Sequence, residues 1–390
     1  MLYYIKHFFD PDLDHLHPAS DAEIVQKKGL DLFNLGYVQN VVKGQILAEI
    51  VPLDPTEEDS LPDQRFVTRT IEFPAGQNTF VHPKYPQFLL AATNGYVFYH
   101  EKRITVKSLL NVRQDISFRT GNINFVGDMA VHGSVRSGFS ILGNNIRIMG
   151  MIEGGIAHAT QNMIVDGGAR GNVSDHCLID AGGKLLANFL EGMEARVSGN
   201  VVVNKYCLNC DVYGGNNLLV KENLNGGNIN ICSSIYVGKK LGNEAGNSTV
   251  VLLGYDPDNI RRLHKIESFV AVLSQNIMYL NTLAPHISAT KKEVSRHIYS
   301  VIKQRDALVE LSKKIPVSLI QDFKTLSQCR LICLGTVYPG VKIFFGDTSL
   351  TVNQTFENVL FRLDKYRVVV EPIVSAGSPE AEQNKVQAAK

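Results

Sequence analysis

Val201 to Val237 reads VVVNKYCLNCDVYGGNNLLVKENLNGGNINICSSIYV, and its spacing decides the fold. Three apolar–x–apolar triplets, Val201/Val203, Leu218/Val220 and Ile235/Val237, recur seventeen residues apart. Toward the N-terminus the same pattern continues at Met129/Val131, Ile146/Ile148, Met163/Val165 and Leu185/Ala187. Between the second members of successive triplets the steps are 17, 17, 22, 16, 17 and 17. Residues i and i+2 of a strand face the same side, so all fourteen positions predict inward-facing side chains. A position ten residues before each triplet end reads Gly138, Gly155, Cys177, Met193, Cys210 and Gly227, which predicts a tight corner. Apolar segments near it, Phe139–Ile141, Cys177–Ile179 and Ile229–Ile231, predict at least one further strand per rung.

Composition agrees. Of 32 glycines, 23 lie between Gly121 and Gly254, and no proline falls between Pro86 and Pro257. Glycine allows tight turns, whereas proline removes a ladder donor. Short strands joined by tight turns, stacked one rung per repeat, form a parallel β-solenoid. A doubly wound α/β sheet would need helices that do not fit into 17 residues. The step of 22 predicts a surface insertion near Asp166–Asp175.

The flanks differ. Residues 1–85 read as a small α+β domain, with a helix capped by Asp21 over Ile24, Val25 and Leu32 and strands at Gln45–Val51 and Thr68–Phe73. The solenoid is expected over 86–254. In 255–330, Leu263, Ile266, Val270, Leu273, Ile277, Leu280 and Ala284 are spaced 3,4,3,4,3,4, a coiled-coil seam capped by Asp256 or Asp258 and closed by Pro285. A second helix over 289–314 would complete an antiparallel hairpin, with a short third helix after Pro316. Strands return over 331–374, at Arg330–Val337, Val341–Phe345 and Tyr366–Val370, and 375–390 reads as a disordered tail.

With 39 basic and 38 acidic residues, the chain lacks the excess of a general nucleic-acid binder. No apolar run is long enough to span a membrane, and the start shows no signal peptide, so a cytoplasmic protein is expected. Six cysteines are too few for a disulfide scaffold.

Gly121-Asn122-Ile123-Asn124-Phe125, Gly127-Asp128, Val131-His132-Gly133-Ser134-Val135 and Gly138-Phe139 resemble the opening of the FapA (flagellar assembly protein A) repeat domain. Val337-Tyr338-Pro339-Gly340-Val341-Lys342-Ile343 and Gly346 resemble that family's segment after its helical hairpin. The resemblance covers roughly residues 91–372. It implies a right-handed parallel β-solenoid in a bacterial cytoplasmic protein linked to flagellar assembly or polar localisation. It implies no catalytic residues.

No chemical motif outweighs a structural reading. Cys207-Leu208-Asn209-Cys210 is a CxxC without the second pair that zinc requires. His15/His17 and His132/His158 are scattered. Gly242–Ser248 lacks the P-loop lysine and reads as a loop closing the solenoid. Asp166, Asp175, Asp180 and Glu191 give no evident convergent cluster for a carbohydrate-active β-helix enzyme such as a pectate lyase. A left-handed acyltransferase solenoid needs a six-residue period, and a polymer-forming cytoskeletal solenoid needs open ends. Residues 255–330 hold 12 Lys and Arg against 7 Asp and Glu, an excess suited to an acidic partner or simply to a solvated surface. The expectation is a non-enzymatic scaffold or regulatory binding protein without catalytic site, cofactor, metal or small-molecule substrate, and with a protein partner.

The triplets' middle residues should face outward: Ala130, Arg147, Ile164, Leu186, Val202, Leu219 and Tyr236. Ile164, Leu186, Val202, Leu219 and Tyr236 form a candidate packing or interaction stripe. The expected covers are the hairpin or the returning strands of the same chain, or a second copy in a homodimer.

Overall fold

The computed structural model describes residues 2–13, 33–53, 63–171, 177–283, 291–314 and 323–373. The helix expected around Asp21, His15 and His17, Asp175, Pro285 and the tail from Ser375 lie outside them. The chain separates into two compact units, Met1–Glu194 and Ala195–Lys390.

The first unit opens with an antiparallel sheet in the order Val67–Thr68, Leu2–His7, Ile46–Leu53, Phe88–Ala91, Thr79–Val81. A three-stranded sheet of Asn40–Val41, Gly95–His100 and Arg103–Lys107 packs with it around Ile5, Leu47, Ile50, Phe66, Leu89 and Ile104. The strand expected over Thr68–Phe73 is only Val67–Thr68.

Beyond this, the unit is a set of parallel rungs. Leu109–Val112, Asp128–Val131, Ile146–Ile148, Met163–Val165 and Leu185–Ala187 pair in parallel, with Leu110, Met129, Ile146, Met163 and Leu185 in one register. Leu109–Val112 is a rung before the first expected triplet. A second face stacks Ile123–Asn124, Ser140–Gly143, Ile156–Ala159 and Leu178–Ala181. A third stacks Ile152–Glu153, Ala169–Arg170 and Leu190–Glu191. From Ile152 onward a rung thus has three strands, and in the two rungs before it Ile116 and Val135 hold the third face by isolated bridges. The corner position is corrected by one residue: Gly155 aligns with Phe139, not Gly138, because Ser140 pairs with Ile156.

In the second unit Val201–Val203, Leu218–Val220 and Ser234–Val237 stack in parallel, as do Tyr206–Gly214, Asn223–Ile231 and Thr249–Leu253. Helix α1, Pro257–Leu283, follows. The Asp256 carboxylate accepts the Asp258 N–H at 3.0 Å, and Pro257, with no N–H to satisfy, occupies the first turn. Ile260 and Leu263 of α1 pack on Tyr213, Leu252 and Tyr255, and the Tyr213 hydroxyl lies 3.0 Å from His264 Nδ1. Helix α2, Lys291–Lys314, packs on α1. A four-residue helix α3, Phe323–Leu326, comes next.

The chain then re-enters the ladder. Arg330–Val337 stacks in parallel on Ser234–Val237, and Val341–Phe345 on Thr249–Leu253. The helices are therefore an insertion between rungs. The parallel order ends in antiparallel strands: Phe356–Asp364 pairs with Arg330–Val337, Thr348–Thr351 with Val341–Phe345, and Arg367–Pro372 with Phe356–Asp364. That change of direction ends the parallel ladder.

Candidate functional site

Strand alternation sets the site. The inward members of all seven triplets are buried, and each middle residue faces outward. In the first unit Ala130, Arg147, Ile164 and Leu186 stand in register on neighbouring rungs. In the second, Val202, Leu219, Tyr236 and Ile332 do so. Leu186, Leu219 and Tyr236 are exposed (36–40%), and Ile164 and Val202 are half-buried. Among the described residues of the second unit, Leu219 and Tyr236 of this column stay open to solvent. Val341–Phe345 extends the ladder, and the first turns of α1 pack over Tyr213 and Leu252, on a different face.

The charged outward positions are largely consumed within the ladder. Arg136 bridges Asp115, at 2.7 Å, and Glu153 on the next rung. Arg170 lies 2.9 Å from Glu191, and Arg147 donates to Asp166 at 2.9 Å. The Asp115 carboxyl is held below its ordinary range by the Ser134 N–H and by Arg136. Arg136, Glu153 and Arg170 line a cleft of about 540 Å³ floored by Phe118 and Phe139. Their spacing of 17 was visible in the sequence, but the apolar pattern alone does not show that the signs alternate.

A second polar column occupies the corner before each triplet. Asp128 Oδ1 accepts the Asn145 N–H at 3.1 Å, Asn145 Oδ1 accepts that of Asn162 at 3.2 Å, and Asn162 Oδ1 that of Lys184 at 3.0 Å. In the second unit Asn200 and Asn217 serve Asn217 and Ser234 in the same way. This ladder was missed because the triplets were read without the residue before them.

The three described carboxylates weighed for carbohydrate chemistry, Asp166, Asp180 and Glu191, do not converge. Asp166 engages Arg147, Asp180 lies 3.3 Å from His158, and Glu191 engages Arg170, each on a different face. Among the described residues no three His, Cys, Asp or Glu side chains are grouped as metal ligands. Cys207 and Cys210 are fully buried, and the hydrogen bond between them, with burial, pushes the Cys207 thiol well up. Burial pushes Cys329 up to about 11 and also raises Cys333. Thiols of this kind resist forming the reactive thiolate. Gly242–Ser248 joins Lys240–Leu241 to Thr249–Leu253 inside a rung, so it does not close the ladder. No described helix is long and apolar enough to cross a membrane.

The profile of the FapA (Flagellar Assembly Protein A) beta solenoid domain matches residues 108–368. The chain belongs to this family. The matched stretch starts just before the Leu109–Val112 rung and ends in the last antiparallel strand, so the FapA domain takes in both sets of rungs, the inserted helices and the returning strands. Neither curated proteins nor solved structures give a match.

Proposed function

We propose that this FapA-family chain is a non-enzymatic cytoplasmic scaffold that holds a protein partner for flagellar assembly, its regulation or its polar localisation. The observation that carries this reading is the outward column Val202, Leu219, Tyr236, Ile332, uncharged and in register on a ladder whose backbone is fixed by its neighbours. A rigid row of outward-facing aliphatic and aromatic side chains supplies contact area at little entropic cost. The pairwise neutralisation of charged side chains between rungs argues against an acid–base pair held ready for catalysis. The antiparallel strands after Val341–Phe345 argue against end-to-end polymerisation, because they break the parallel template.

Within this reading the solenoid is right-handed, α1 and α2 form a coiled-coil hairpin, and the chain divides at about residues 85, 254, 330 and 374. A second copy of the chain is the alternative occupant of the column, giving a homodimer. Co-purification from the native cell tests the proposal, with Leu219→Glu as the discriminating variant and light scattering to separate a foreign partner from self-association.

A further inference from the structure

The inserted helices leave several large apolar side chains exposed beside the few that they bury. Ile277 and Val301 are buried, which accounts for the seam between α1 and α2. A second set remains open: Phe269 and Val272 on α1 and Leu311 on α2 are each about half exposed. Phe269 lies one turn before Leu273 on the same helix face, since residues i and i+4 are neighbours. Leu273 in turn lines a groove of about 550 Å³ with Gln304, Ala307, Leu308, Leu311 and Lys314 of α2. The groove thus runs between two packed helices and has an apolar floor.

The stretch of chain that forms it is basic. Between Pro257 and Lys314 there are ten Lys and Arg against five Asp and Glu. Glu310, the one acidic residue lining the groove, is already held by Lys313 at 2.7 Å, which keeps its carboxyl below the ordinary range. Lys314 lines the groove, and Lys265 lies one turn before Phe269.

We infer that this groove receives a third helix, amphipathic and acidic along its flanks, supplied by a partner protein. The apolar floor fits the i, i+3, i+4, i+7 anchors of such a helix, and Lys265 and Lys314 complement carboxylates beside them. A lipid surface fits less well. Glu267, Asp306 and Glu310 interrupt the hairpin's circumference, and the apolar side chains line a groove instead of one broad face. The inference rests on the scaffold reading and names the chemistry of one partner segment.

The test uses the full chain and two fluorescent helical peptides with identical apolar anchors, one flanked by glutamates and the other by lysines. Fluorescence anisotropy should show the acidic peptide binding more tightly by about fivefold or more at low salt, with the preference fading as salt rises. Leu311→Glu should abolish binding, and the double change Lys265→Glu, Lys314→Glu should reverse the preference. Circular dichroism melts of each variant show whether the helices stay folded. If Leu311→Glu unfolds them, the lysine double variant carries the test alone. Equal binding of both peptides, or binding unmoved by the lysine changes, overturns the inference. So does recruitment to anionic phospholipid vesicles in place of the acidic peptide, or a dimer in light scattering that Leu311→Glu dissolves. If the chain still captures a specific native partner when the lysine variant has lost no peptide affinity, the groove assignment fails and the scaffold reading stands.

Discussion

The side-chain amide of Asn162 donates to Asn145 Oδ1 at 3.1 Å, across one rung of the ladder. The same oxygen also accepts the Asn162 backbone N–H at 3.2 Å, and Asn145 donates its own amide to Asp128 Oδ1 at 3.0 Å. Each asparagine thus satisfies the corner of the next rung, where a bending strand leaves its first N–H without a ladder partner.

Asn145→Ala should therefore cost about 1–3 kcal/mol, since it strands the Asn162 N–H and removes the side-chain amide donor to Asp128. The urea midpoint should fall with an unchanged slope. A midpoint within error of wild type would mean that the corner does not depend on this column.

Val202 and Val203 offer a direct comparison of the two faces. Val203 is fully buried, and Val202 is the half-buried outward residue beside it. Val203→Asp should cost more than about 4 kcal/mol, because the carboxylate would sit unpaired inside the rung. Val202→Asp should cost about 1 kcal/mol or less. Thermal melts of the two proteins check this, and equal losses would contradict the assigned alternation.

The triplets made the inward faces and the register legible from sequence, because burial inside a rung admits only apolar side chains at i and i+2. Other features were hidden for physical reasons. The rung at Leu109–Val112 precedes the repeat's glycine-rich part, and Leu109 and Asn111 read there like any amphipathic strand. Placing Gly138 opposite Gly155 came from counting back from the triplet, whereas the turn from Val135 to Phe139 is set by its own bends. Apolar Val341–Phe345 looked like a cover for the stripe. Only the pairing with Thr249–Leu253 shows that it is a further rung, since the intervening helices break the count of seventeen. The outward column was readable residue by residue, and the exposure of Leu219 and Tyr236 was not.

Stacked turns also leave no space at Gly238. A Cβ built there would lie 1.9 Å from the Lys221 carbonyl oxygen, which belongs to the backbone of the rung below. Gly238→Ala should cost about 2–4 kcal/mol, because ladder backbone must move. Gly138, with φ +81 and nothing within 4 Å of a Cβ, should lose only about 1 kcal/mol as alanine, from backbone strain alone. Urea unfolding of both variants ranks them, and a larger loss at Gly138 would contradict the packing described.

His7 sits with its ring 5.2 Å from Phe9, 4.2 Å from Phe66 and 5.9 Å from Tyr99, and its buried Nε2 has no hydrogen-bond partner among the described residues. Burial pushes its pKa down to about 4. Between an unfolded value of about 6.5 and this folded value the unfolded chain binds the proton and the folded chain does not, so stability falls as pH drops through that window. After discounting for partial solvent access, the loss should be of order 1–2 kcal/mol. Urea midpoints at pH 7 and pH 5 should separate more in wild type than in His7→Phe. An unchanged separation would show that other groups carry the acid dependence.

The scaffold account is tested most directly by purifying the full chain from its native cell under gentle conditions and weighing the complex by light scattering, for wild type and for Leu219→Glu. The account predicts a specific, stoichiometric protein partner with wild type, lost with Leu219→Glu while the variant keeps its melting temperature, and flagellar motility impaired to the same extent as by deletion of the chain. A Leu219→Glu protein that retains the same partner and supports normal motility would contradict it.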